Sequence, residues 1–189
     1  GHSTGGIIIS HMLTMAPERF GKVLMLDPVS PLGLQLNPGQ INVLTAMKTD
    51  RDVGFAGLAS AAPTLFRPET MVAGQMPQFA DATSTAQREL FALIIDKTRV
   101  LADGIWFGTP HNLGLEWDSG ALAKRMPEMT HEHLILFGKM DYWIPREHMD
   151  VMVEKLPNAR LEIFPYVGHS MNLEQPLLFA RIFGDFFRA

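Results

Sequence analysis

The sequence has 189 residues, enough for one domain or a large part of a bigger one. Apolar residues make up 47% and charged residues 19%, which supplies a core and argues against a disordered chain; a net charge of -4 without clustered Lys and Arg disfavours a nucleic-acid binder. Cysteine is absent, which removes disulfides, thiolate zinc sites and thiol nucleophiles together and leaves oxygen or nitrogen as the nucleophile.

Residues 1–6 read Gly-His-Ser-Thr-Gly-Gly and contain the pattern Gly-x-Ser-x-Gly. Residues 7–15 follow the glycine pair, are apolar nearly all round and stop before Pro17, which predicts a buried helix. Residues 22–26 form a short apolar run closed by Asp27-Pro28 and predict a strand. Between residues 32 and 129 no buried strand is legible. That stretch is rich in Met, Phe, Gly and Pro and reads as helices joined by loops at Asn37-Pro38-Gly39, Ala62-Pro63 and Gly108-Thr109-Pro110. Within it, residues 83–101 carry Ala86, Leu90, Phe91, Ile94 and Leu101 at helical spacing.

Two further strands follow, at 133–137 before Gly138 and at 160–164 before Pro165. Short apolar runs closed by Gly or Pro suit strands buried on both faces of a parallel sheet. An amphipathic helix over 147–156 separates them, and a last helix over 175–188 carries Leu178, Ile182, Phe183, Phe186 and Phe187. Strands alternating with helices predict the α/β class. The longest apolar runs, 90–95 and 134–137, are far short of the roughly 20 residues that cross a bilayer, so a soluble chain is expected.

The chemistry-bearing residues end strands. In Gly-x-Ser-x-Gly the serine sits on a strained strand-to-helix turn where side chains at the flanking positions would collide with the backbone. Asp141 lies in Gly138-x-x-Asp-x-x-x-Pro145, directly after the second strand, and His169 lies in Gly168-His-x-x-x-Leu-Glu-x-Pro176, shortly after the third. Open α/β sheets bind ligands at that carboxyl end. The order Ser3, Asp141, His169 is that of nucleophile, acid and base in α/β hydrolases.

On these three motifs the chain resembles the α/β-hydrolase superfamily, and in particular its capped esterase, lactonase and carbon-carbon hydrolase members. The resemblance implies a hydrolase core formed by 1–31 and 130–189, with 32–129 as a helical cap. It implies Ser3 as nucleophile, His169 as general base and acid, Asp141 as orienter of the imidazole, and the Thr4 amide as one oxyanion donor. It implies a serine hydrolase of carboxylic esters or lactones with a largely apolar portion, acting through an acyl-enzyme and needing neither cofactor nor metal. The alternatives are a carbon-carbon bond hydrolase using the same residues and a non-catalytic ligand receptor. A serine at the elbow argues against epoxide hydrolases and haloalkane dehalogenases, which need a carboxylate nucleophile.

The earlier strands and the second oxyanion donor expected from the resemblance lie N-terminal to an elbow, so the chain reads as the C-terminal part of a hydrolase domain whose N-terminal part is its partner. A cytoplasmic protein is favoured, with the compartment open. Asp27 is the alternative acid; Asp141 is preferred for its Gly and Pro frame. Substrate-binding expectations fall on His2, Trp106, His111 and Trp143. The pair His131 and His133 reads as a solvated strand entry rather than a metal site, and Asp50-Arg51-Asp52 as a solvated helix face or loop salt bridge.

Overall fold

The computed structural model describes residues 1–188. Its sheet has three parallel strands in the order β1 (Val23–Leu26), β2 (His133–Gly138) and β3 (Ala159–Phe164). Val23 is in register with His133, and His133 with Ala159, so the three carboxyl ends lie along one edge. Parallel neighbours require crossovers. Between β1 and β2 this is a long helical insert, and between β2 and β3 it is α7 (Arg146–Lys155). On the other side of β1, Gly1 and His2 lie parallel to it: the Leu26 amide donates to the Gly1 carbonyl at 2.8 Å and the Ser3 amide to the Leu26 carbonyl at 3.1 Å.

Side chains alternate across the sheet as the pleat requires. Val23, Met25, Ile135 and Phe137 pack with Ile7 and Leu13 of α1 (Thr4–Met15) and with Met149 and Met152 of α7. Leu24, Leu26, Leu134 and Leu136 pack on the other face with Met171 of α8 (Met171–Glu174) and Phe186 of α9 (Pro176–Arg188). β1 and β2 are buried throughout, as their apolar runs predict. β3 is not. Among the described residues it has a neighbouring strand on one side only, and it leaves Arg160 and Ile163 exposed.

The insert is helical, with α2 (Pro38–Thr49), α3 (Arg51–Ala61), α4 (Thr85–Arg99), a π-helical turn at Gly104–Gly108, α5 (Thr109–Ser119) and α6 (Ala121–Lys124). Capping sets the boundaries: Asn37 with Gln40, and Ser84 with Gln87, form reciprocal side-chain to backbone boxes, and Asp50 accepts the amides of Asp52 and Val53. Each such cap contributes about 1 kcal/mol. Asn37-Pro38-Gly39 is therefore a helix start rather than a loop, because proline at the first helical position forfeits no hydrogen bond. Gly108-Thr109-Pro110 likewise carries the π-helical turn straight into α5.

Phe55, Phe66, Phe79 and Phe91 form an aromatic cluster inside the insert, Phe66 and Phe79 stacking at 4.6 Å. Leu173 of α8 joins it. From Leu113 onward the insert changes allegiance, since Leu113, Leu122, Met126 and Met129 pack into the sheet's core.

α1 departs from the sequence expectation. Ile8, Met12 and Met15 are exposed, Met15 at 82%, so only one side of the helix is buried. Its Met12 lines an open apolar groove beside β1, together with Phe20, Phe179, Phe183 and Phe187. No helix among the described residues is long and apolar enough to cross a membrane.

Gly138 ends β2 where the loop carrying His169 crosses it. A Cβ there would lie 2.1 Å from the Gly168 carbonyl oxygen and 2.5 Å from that of Val167, backbone atoms that cannot swing aside. Gly138→Ala is therefore expected to destabilise the fold by about 3 kcal/mol. A urea unfolding midpoint equal to that of the unsubstituted protein would count against this packing.

Candidate active site

Ser3 caps α1 with φ 54° and ψ −123°, in the left-handed half of backbone space that a non-glycine residue rarely enters. Three backbone bonds hold it there: its amide donates to Leu26, and its carbonyl accepts from Gly6 at 2.9 Å and from Val29 at 2.8 Å. Gly1 is a glycine because a Cβ would sit 2.6 Å from the Gly5 carbonyl. Gly5 has open space around it, and the crowded position is Gly6, whose Cβ would meet Pro28 at 2.3 Å. The turn thus needs its first and third glycines for clearance among the described residues. The Thr4 amide opens α1 and so has no intrahelical acceptor.

Asp141 and His169 are joined. His169 Nδ1 lies 2.8 Å from Asp141 Oδ2, with both residues buried. The carboxylate can only accept, so the proton is on Nδ1 and Nε2 keeps its lone pair. The other oxygen, Oδ1, accepts the amides of Trp143 at 2.7 Å and Ile144 at 3.3 Å, which locks the carboxylate's orientation. Ser3 stands at the same sheet edge, its neighbour His2 packing against the His169 ring at 4.7 Å. Ser3 Oγ makes no hydrogen bond to the imidazole here; such contacts often form only once substrate closes the site.

His2 donates from Nε2 to the His169 carbonyl at 2.7 Å. Burial, followed by the charge of His169, pushes its pKa down to about 4, so it is neutral at pH 7 and serves as a fixed donor. Trp143 stacks on His169 at 5.8 Å, nearly parallel, and its indole N–H donates to Ser60 of α3 at 3.0 Å. His2 and Trp143 are thus beside the imidazole. Trp106 and His111 are not. They line a separate cavity of about 340 Å³ in the insert with Ile41, Leu44 and Phe107, and the Trp106 indole donates to the Thr98 carbonyl.

Asp27 ends β1 and also reaches this edge, with its Oδ1 accepting the Gly138 amide at 2.8 Å. Burial pushes its carboxyl up to about 9, the Gly138 amide pulling the other way and the charge of Asp141 adding to the rise. Glu174 is a residue to which sequence reasoning gave no role. Its Oε2 accepts the amide of Gly168, next to His169, at 2.6 Å, and its Oε1 accepts the amide and hydroxyl of Thr64. It therefore ties the insert to the His169 loop. The available signal was its fixed place five residues after His169 in the Gly168-His-x-x-x-Leu-Glu-x-Pro176 stretch, since a buried charge must have partners.

His133 is fully buried rather than solvated, because it begins a central strand; it donates to the His131 carbonyl, and His131 donates to that of Pro17. Asp50 is the α3 cap, and Arg51 pairs with Asp96 across the insert's surface.

The chain is 20% identical to esterase YbfF of Escherichia coli (strain K12) over 176 residues, covering 93% of this chain and 61% of the esterase. It is 23% identical to 2-hydroxy-6-oxo-6-phenylhexa-2,4-dienoate hydrolase of Burkholderia cepacia over 188 residues, 98% of this chain and 60% of that enzyme. It therefore spans about three-fifths of the length of these relatives. Among solved structures, the esterase EaEST from Exiguobacterium antarcticum superposes with a TM-score of 0.69 at 23% identity, covering 100% of this chain and 65% of that one, which establishes the shared fold. Residues 1–182 match the alpha/beta hydrolase family as a whole, from the elbow at Ser3 past the His169 loop, and to that family the chain belongs.

Proposed function

We propose that the intact protein is a serine hydrolase that cleaves carboxylic esters or lactones of largely apolar small molecules through an acyl-enzyme. The observation that carries this reading is the 2.8 Å contact between His169 Nδ1 and Asp141 Oδ2 at the edge where Ser3 heads α1. With Nδ1 occupied, Nε2 takes the Ser3 proton as Oγ attacks the acyl carbon, and Asp141 stabilises the imidazolium. The Thr4 amide donates to the developing oxyanion, and His169 then passes the proton to the leaving alkoxide. Water enters by the same route in reverse and releases the acid. No step calls for a cofactor.

The insert over 32–129, apart from the stretch from Leu113 onward that packs into the sheet's core, serves as the cap, supported by the Ser60 contact with Trp143 and the Thr64 contact with Glu174, which set it against the His169 loop. The N-terminal part of the hydrolase domain, with the second oxyanion donor, fills the apolar groove beside α1 and α9. The length of the relatives and the exposed Met12 and Phe183 support this. The 189-residue chain alone is then inactive, and robust ester turnover by it would refute that part of the reading.

Carbon-carbon bond hydrolysis of a diketone-like ring-fission product is the second reading, favoured by the Burkholderia cepacia relative. A fluorophosphonate is expected to label Ser3 stoichiometrically in the intact protein, with multiple turnovers of a short-chain nitrophenyl ester. Labelling without ester turnover, but with cleavage of the diketone, selects the second reading; absence of both labelling and turnover sinks the enzyme.

A further inference from the structure

Asp27 is a buried ionisable group that the proposed reaction leaves unused. It is 0% exposed and holds φ 41°, a backbone conformation that side chains seldom adopt. Its Oδ1 is satisfied by the Gly138 amide, whereas its Oδ2 is enclosed and without a partner. Asp27, Asp141 and His169 each bring one side-chain nitrogen or oxygen within 4.8 Å of the others. The titratable groups that face Asp27 are thus Asp141 on the turn after β2, His169 on the loop after β3, and Glu174 on α8.

Two ionised carboxylates this close and shut off from water repel each other, and one retained proton removes the repulsion. The arrangement decides which of them keeps it. Asp141 accepts from three donors, His169 Nδ1 and the amides of Trp143 and Ile144, so both of its oxygens already have partners. Asp27 has one amide and an empty oxygen. Asp141 is the nearest carboxylate to it on this edge, the two side chains each bringing an oxygen within 4.8 Å of the other. We propose that Asp27 is a positioning residue whose carboxyl stays protonated and donates a hydrogen bond to Asp141, so that the acid pair beside His169 carries one negative charge instead of two. This rests on the triad reading above. The bond braces Asp141 and draws off part of its charge, which limits how strongly Asp141 favours the imidazolium.

Two substitutions in the intact protein separate this role from a packing role. Asp27→Asn keeps an acceptor for Gly138 and supplies an N–H toward Asp141, so kcat for a nitrophenyl ester is expected to stay within about threefold, with the pH profile in place. Asp27→Ala removes the donor, and kcat is expected to fall about tenfold while the rising limb of kcat/KM moves about one pH unit higher, because the undiluted Asp141 charge holds the proton on His169. An Asn variant as impaired as the Ala variant, or an Ala variant with an unmoved limb, overturns the proposal. Infrared difference spectra at pH 7 between the unsubstituted protein and Asp27→Asn read the proton without any turnover. A protonated-carboxyl band lost in the variant is expected, and no such band overturns the proposal even if Asp27→Ala does not fold. Because the infrared measurement is independent of Ser3, retained activity in Ser3→Ala would overturn the triad reading alone.

Discussion

Ser3→Ala is expected to lower kcat for a nitrophenyl ester by about a millionfold, leaving only the slow reaction that binding and the oxyanion donor support. The hydroxyl is the atom that bonds to the acyl carbon, and without it His169 and Asp141 have no proton to move. The fold should hardly notice. Ser3 Oγ caps no amide of α1, and alanine brings the same Cβ into the left-handed conformation that the backbone bonds to Leu26, Gly6 and Val29 enforce. The variant should therefore unfold at the same urea concentration and bind substrate as before, with both burst and steady-state turnover lost. Residual activity above about 1% of the unsubstituted rate, once contamination is excluded by mass, would assign the nucleophile elsewhere.

Asp141→Asn should cost about 10⁴-fold in kcat with little change in KM, and the hydrogen bonds of the site say why. Oδ1 of the asparagine stays on the amides of Trp143 and Ile144, because only an acceptor fits there. Its NH₂ group then takes the place of Oδ2 and points a donor at His169 Nδ1, 2.8 Å away in the present arrangement. The neutral imidazole must turn its lone pair to Nδ1 and its proton to Nε2. It then faces Ser3 as a donor and cannot accept the serine's proton. A kcat within tenfold of the unsubstituted protein, or an equal loss in Asp27→Asn, would return the acid's role to Asp27, and pre-steady-state acylation rates measure this directly.

The fit between sequence and fold varies with how local the determining physics is. β1 and β2 were legible because an uninterrupted apolar run has few other destinations, and α4 was legible as a helix from its apolar spacing, although Ala86 and Leu90 of that stripe lie exposed and Phe91 and Ile95 make the buried face. Asn37-Pro38 was read as a loop although it begins α2, since proline breaks a helix only from inside it. α1 was read as wholly buried on composition alone. Hydrophobicity says which side chains avoid water, not whether a neighbour is present to cover them, and on one side of α1 the structure has an open groove.

The sequence by itself determined the three motifs, their order along the chain and the alternation of strand and helix, because turn geometry and periodicity are properties of adjacent residues. Only the tertiary structure decided which further groups join them and at what distances. The parallel register of β1, β2 and β3 brings Asp27, Asp141 and His169 to one edge from positions more than a hundred residues apart in the case of the first two. The same packing carries Ser60 and Thr64 to the His169 loop and leaves Trp106 and His111 at a different cavity. Contacts of that kind follow from how buried surfaces stack in three dimensions, and no spacing within the linear chain encodes them.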